Sequence, residues 1–184
     1  MEPSTNDVID FHRAVSIAFL KSTVGFAVRT PRGQKDPGAI QWDPKSNTRD
    51  KSNETIAALE RTTDNLGVHL FGPLVDVDID TDNPLLMQAL DYFLPVTAHV
   101  WGRESRKRTH RLYELAGVNT FDPAAWPFLA KIQAVPDIAV EVRGGDLKSA
   151  RYSLLPGSIH PSGEAYQWED AKAARSSTVV HVSE

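Results

Sequence analysis

The chain has 184 residues, 41% hydrophobic and 24% charged, with a formal net charge of −4 and no cysteine. That length and composition suit one soluble globular domain with its own core, and they exclude a disulfide framework and a cysteine-ligated zinc site. No apolar run approaches membrane-spanning length and no basic-then-apolar signal pattern opens the chain, so a cytoplasmic protein with no membrane partner is expected. The negative balance argues against a surface that binds nucleic acid all over, but leaves room for a local basic groove.

In chain order, Thr5 to about Lys21 reads as an amphipathic helix with Val8, Phe11, Val15, Ala18 and Phe19 on one stripe. Phe26–Val28 reads as a strand running into the polar loop Thr30–Gly38. A helix from Glu54 to about Thr62, capped by Asn53, precedes a turn at Asn65-Leu66-Gly67 and a strand over Val68–Phe71. The strand Leu74–Asp80 follows, then a helix to about Phe93, capped by Asp82 or Asn83 with Pro84 in its first turn. Strands are expected over Thr97–Trp101, Thr109–Leu115, Ile138–Arg143, Tyr152–Leu155 and Ala165–Trp168, and a helix from Pro123 to about Ile132. Helices come early and strands late, which points to an α+β fold with a mixed or antiparallel central sheet flanked by helices. Residues 1–175 are expected to form one catalytic domain and 176–184 a tail, either a linker stub or an edge strand. Neither common phosphate-cradling glycine loop is present.

Chemistry concentrates in three segments. In Leu74-Val75-Asp76-Val77-Asp78-Ile79-Asp80, alternation puts three carboxylates on one face and Val75, Val77 and Ile79 on the other. Like charges lined up on one face repel, so a cation should offset them. Same-face neighbours lie roughly 6.5–7 Å apart, and two carboxylates so spaced suit a metal pair about 4 Å apart. A single D-x-D would be read as the polar side of an edge strand. The second segment, Arg103 to Tyr113, carries five basic side chains within nine residues and His110. A histidine sharing its face with Leu112 is more often a core residue, but beside arginines it suits a phosphate oxygen. In the third, Glu141 interrupts the apolar strand Ile138–Arg143, which requires a salt bridge or a metal. A carboxylate arriving on a separate strand would complete an all-oxygen site of the kind Mg²⁺ or Mn²⁺ prefers.

The order of these segments resembles the archaeo-eukaryotic primase superfamily, and within it the bifunctional primase/polymerase (prim-pol) domains of plasmids, phages and mobile elements. The likeness extends to Asn65-Leu66-Gly67-Val68 as an N-x-G entry and to Gln34-Lys35-Asp36-Pro37 with Trp42 as a basic K-x-P…W loop. Leu155 to Gly163, with Tyr166 and Trp168, matches a P-x-S-x-H-x-x-G…Y-x-W segment. The resemblance implies a primase-like (RRM-like) catalytic core and a two-metal nucleotidyltransferase acting as DNA primase and DNA polymerase. Asp78 and Asp80 match its paired metal-binding aspartates, with 76/78 an open alternative through Asp76. Glu141 matches the third ligand, and His110 the histidine that contacts the incoming triphosphate. Arg108 stands where the family has a serine. Lys35, Arg106, Arg108 and Arg143 are candidates to grip phosphates or template, and Ser158 and His160 to meet the base or sugar. Implied partners are a single-stranded DNA template and primer, dNTPs or NTPs, and a helicase or accessory helical domain. Two other classes stand beside this reading. A metal-dependent nuclease would want a lysine near the third carboxylate, where Arg143 is found, and a silent strand-binding replication module needs no metal. Trp42, Trp101, Tyr113 and Trp168 are candidates for base stacking, although large aromatics more often fill cores.

Overall fold

The first helix begins at a capping box: Ser4 accepts from the Asp7 amide while the Asp7 carboxylate receives the Ser4 amide. The computed structural model describes residues 4–37, 43–81, 83–117, 132–135, 138–146 and 151–182. Among them the order is α1 (Thr5–Ser22), β1 (Phe26–Thr30), α2 (Arg49–Leu59), β2 (Asn65–His69), β3 (Leu74–Asp80) and α3 (Pro84–Phe93). There follow β4 (Val100–Arg103), β5 (Arg106–Leu115), β6 (Ile132–Val135), β7 (Ile138–Arg143), β8 (Tyr152–Leu154) and β9 (Gln167–Trp168). A short helix α4 (Ala171–Ser176) and strand β10 (Val180–Val182) close the chain.

Two sheets result. The smaller has the order β1-β2-β8, antiparallel throughout. The larger has the order β6-β7-β3-β5-β4-β9, antiparallel throughout, with β10 lying parallel beside the end of β5. The fold is α+β with a mixed, mainly antiparallel central sheet, and the serine-rich end supplies its one parallel strand among the described residues.

One core cluster joins α1 and α2 to both sheets through Phe19, Leu20, Leu59, Leu66, Trp101 and Trp168. A second lies on the other face of the large sheet, where Val75, Val77, Ile79, Tyr113 and Val140 meet Met87, Leu90 and Leu94 of α3 and the turn after it. That cluster is the apolar half of the alternation read in β3. Trp101, Tyr113 and Trp168 are therefore core residues, while Trp42 lies outside the described residues.

Several boundaries differ from the sequence reading. The buried stripe of α1 is rotated: it carries His12, Arg13 and Ser16 beside Val15, Phe19 and Leu20, whereas Phe11 and Ala18 are exposed. Hydrophobic spacing misses this because the polar residues have buried partners. Arg13 donates to the carbonyls of Leu59, Thr62 and Asp64, satisfying the end of α2 and the turn beyond it. Helix α2 starts earlier than expected, because Thr48 rather than Asn53 caps it by accepting from the Lys51 amide. Strand β2 begins at Asn65, residues read as a turn. Strand β4 begins at Val100 rather than Thr97. The helix expected over 123–132 falls outside the described residues except at Ile132, which opens β6.

Candidate active site

Strand β3 is central in the large sheet, so Asp76 and Asp78 each have a register partner on both sides. Asp78 is paired with His110 on β5 and with Glu141 on β7. The row His110–Asp78–Glu141 thus crosses three adjacent strands, which in any sheet lie about 4.8 Å apart. Exposure rises along β3, with 0%, 28% and 69% of the side chain accessible at Asp76, Asp78 and Asp80. Asp80 ends the strand just before the Asn83 cap, whose side chain accepts from the Leu85 and Leu86 amides.

This row opens into a cavity of about 500 Å³ between the two sheets. Asp78, Asp80, His110 and Glu141 form its floor from the large sheet. Tyr152 and Leu154 come from β8 and Lys35 from the loop after β1, and Arg103, Arg106, Arg143, Arg151 and Tyr166 also line it. Five cations therefore face three carboxylates. Each carboxylate has its own arginine: Asp78 with Arg143 at 3.4 Å, Glu141 with Arg151 at 3.2 Å, and Asp80 with Arg106.

Among the described residues, no group of three or more His, Asp or Glu side chains stands close enough together to hold a metal ion. The three carboxylates share a cavity but lean toward their arginines. The donor set nevertheless fits a hard divalent cation, because it is all oxygen. At Asp78, burial first, then the neighbouring Asp76 and Glu141 carboxylates, raise the pKa against the opposing pull of His110 and Arg143. A bound cation would favour the Asp78 carboxylate over its protonated form.

His110 stacks on Trp101 with ring centroids 5.0 Å apart and 14° between planes. Its Nδ1 lies 2.9 Å from Asp76 Oδ2 and 3.6 Å from Asp78 Oδ1. Burial works to lower its pKa, but the two aspartates outweigh it and the net shift is upward, favouring the imidazolium. Asp76 moves the other way: burial would raise it, yet His110, Arg143 and the Ser153 hydroxyl hold it as a carboxylate. Of the two possible aspartate pairs, 78/80 faces the cavity, whereas Asp76 lies beneath it and does not line it.

Lys35, Arg106 and Arg143 reach the cavity. Burial lowers the Lys35 pKa, with Arg103 and Arg143 adding to this and Asp78 opposing it. Arg108 does not reach it. The backbone there has φ 60°, and four residue steps on β5, from Arg106 to His110, oppose only two on β4, from Trp101 to Arg103. This bulge turns Arg108 off the His110 face, so that it pairs with Asp91 at 2.6 Å and Glu169 at 2.8 Å. Gly102 makes the bulge possible, since a Cβ there would lie 2.3 Å from the Arg106 carbonyl oxygen.

Ser158 is also out of reach. It is fully buried, accepting from the Leu66 amide and donating to the Leu66 carbonyl, each at 2.9 Å. Its neighbour Asn65 performs a similar task, bridging the carbonyls of Gln34 and Ile159. These hydrogen bonds tie together the loops around the cavity, and neither side chain lines it. His160 sits at the rim, where its Nδ1 meets Arg103 at 3.2 Å and its ring packs edge-on against Tyr166. Burial, then Lys35 and Arg103, lower its pKa.

Arg103, Arg151, Tyr152 and Tyr166 line the cavity but were not singled out from sequence as site residues. Arg103 was counted in the basic run and Tyr166 in the Y-x-W segment, so a signal existed for both. Arg151 and Tyr152 carry none, because only the antiparallel return of β8 along β2 brings them to Glu141 and Lys35.

A search of the curated proteins finds no match. The family model for the N-terminal domain of bifunctional DNA primase/polymerase, Prim-Pol, matches residues 17–179. That span takes in every cavity-lining residue named above. The chain, with its aspartate strand, its histidine strand and its glutamate strand side by side in one sheet, belongs to the Prim-Pol family of bifunctional DNA primase/polymerases.

Proposed function

We propose that the chain is a template-directed nucleotidyltransferase that joins a nucleoside triphosphate to a primer 3′-hydroxyl. The bond formed is between that oxygen and the α-phosphorus, and the bond broken releases pyrophosphate. The observation that carries this reading is the placement of Asp78 in register between His110 and Glu141, opposite a wall of lysine and arginine.

Asp78, Asp80 and Glu141 would hold divalent ions, Mg²⁺ or Mn²⁺. When bound, such a pair lowers the pKa of the attacking hydroxyl and neutralises the leaving pyrophosphate. The chain's own residues bind and orient. His110, fixed through Nδ1, offers its other ring edge to a phosphate oxygen. Lys35, Arg103 and Arg143 supply positive charge within a confined cavity, where it acts more strongly than in water. Arg106 and Arg151, which pair with Asp80 and Glu141, would be able to meet phosphate oxygens were those carboxylates to hold a divalent ion. Tyr152 and Tyr166 wall the space between. The same reading has the chain work on a single-stranded template in the replication of a plasmid, phage or other mobile element, beside a helicase or accessory helical domain.

A primer-extension assay tests this. A labelled primer–template is incubated with dNTPs and Mg²⁺ or Mn²⁺, comparing wild type with Asp78→Ala/Asp80→Ala. Metal-dependent extension lost in the variant is expected, and bare template with NTPs then tests priming. Shortening of the DNA would instead favour the nuclease reading. Binding with neither outcome would favour a silent module.

A further inference from the structure

The third aspartate of β3 has no part in the scheme above, yet both oxygens of its buried carboxylate are hydrogen-bonded. Asp76 is fully buried and does not line the cavity. Its Oδ2 receives the Ser153 hydroxyl at 2.5 Å and lies 2.9 Å from His110 Nδ1, and its Oδ1 receives the Arg111 amide at 3.3 Å. A carboxylate only accepts, so in this contact the imidazole must donate from Nδ1. Trp101, stacked at 5.0 Å, fixes the plane of the ring, and Asp76 fixes its rotation within that plane. Together they decide which edge of His110 faces the cavity.

We propose that Asp76 is a positioning residue that presents the Nε2 edge of His110 to the triphosphate, with Ser153 of the other sheet locking Asp76 in place. It is not a metal ligand. The inference rests on reading the cavity as a triphosphate site. Ser153 matters because it comes from β8, which also contributes Tyr152 and Leu154 to the cavity wall. One hydrogen bond thus ties the wall to the residue that aims the histidine.

The test measures two probes separately on the whole chain. Inorganic triphosphate is titrated calorimetrically in the presence of EDTA, and Mn²⁺ alone is titrated by electron paramagnetic resonance. Wild type is compared with Asp76→Asn, His110→Ala, the double variant, Ser153→Ala and Asp78→Asn. Asp76→Asn is expected to weaken triphosphate by about tenfold, the scale of one hydrogen bond to a charged group. The double variant is expected to lose no more than His110→Ala alone, because Asp76 acts through that ring. Mn²⁺ binding should be nearly unchanged in Asp76→Asn, which removes no ligand, and fall sharply in Asp78→Asn, which removes one. Ser153→Ala, a milder change if Asp76→Asn folds poorly, should weaken triphosphate in the same direction and lose that effect in the His110→Ala background.

Loss of Mn²⁺ binding in Asp76→Asn would overturn the proposal in favour of a ligand role. Additive losses in the double variant, or unchanged triphosphate affinity, would leave Asp76 a mere tether between the sheets and overturn it equally. A wild-type protein that binds neither probe would remove the triphosphate site itself, a failure distinct from the others.

Discussion

Asp78 and Glu141 are direct cross-strand neighbours on β3 and β7, two carboxylates opposed on the face of the sheet that lines the cavity. Opposed like charges destabilise a sheet, and the buried Asp76 adds to the repulsion at Asp78. The fold holds them there with Arg143 and Arg151, one for each. Such an arrangement trades stability for a site that attracts cations.

Asp78→Asn should therefore make the ligand-free protein more stable while abolishing primer extension. The gain expected is about 0.5–1 kcal/mol, the size of one relieved like-charge pair. Urea unfolding without divalent metal checks it; a clear loss of stability would mean that the Arg143 and His110 contacts outweigh the repulsion.

His99 offers a pH handle away from the site. It is fully buried between Phe19 and Trp168, with ring centroids 5.0 and 5.8 Å away, and burial lowers its pKa to about 4. The unfolded chain binds this proton near pH 6.5, so between about pH 6.5 and 4 the unfolded state holds more protons and stability is lost as the pH falls. The loss, fully developed only below about pH 4, is on the order of 3 kcal/mol. His99→Phe should flatten the difference in unfolding free energy between pH 7.5 and pH 5, measured against wild type.

Gly102→Ala should damage fold and site together. The new Cβ would lie 2.3 Å from the Arg106 carbonyl oxygen and 2.7 Å from the Arg108 amide nitrogen, both backbone atoms that cannot turn aside. The bulge must open, at a cost of about 2–3 kcal/mol, and Arg106 must leave its place by Asp80. Thermal unfolding and the nucleotide KM would report the two effects.

Arg106 and Arg108 should behave differently although two residues apart. Arg106→Ala should raise the nucleotide KM, because this side chain lines the cavity. Arg108→Ala should leave KM near wild type and lower stability, because it links Asp91 on α3 to Glu169 after β9. A stability loss of about 1 kcal/mol is expected for breaking such a partly exposed network. Steady-state kinetics beside denaturant unfolding separates the two variants.

What could be read from the sequence was local. Period-two alternation separates Asp76, Asp78 and Asp80 from Val75, Val77 and Ile79 without any knowledge of neighbours, because a strand alternates its faces wherever it sits. Strand β7 and helix α3 were legible for the same kind of reason: an apolar run, and an Asn-Pro cap before an apolar stretch. Which of the three aspartates meets solvent was a different kind of question. Asp76 is buried because Ser153, 77 residues away in sequence, crosses from the other sheet to cover it. Arg108 turns from the cavity because of a bulge set against Gly102, and Arg151 reaches Glu141 only through the return of β8. Alternation and capping depend on a residue and its nearest few neighbours, so the sequence alone determined the strand and its charged face, while the order of its motifs carried the family resemblance. Burial, ion pairing and the aim of His110 depend on segments that meet only when the chain folds, and the tertiary structure alone decided them.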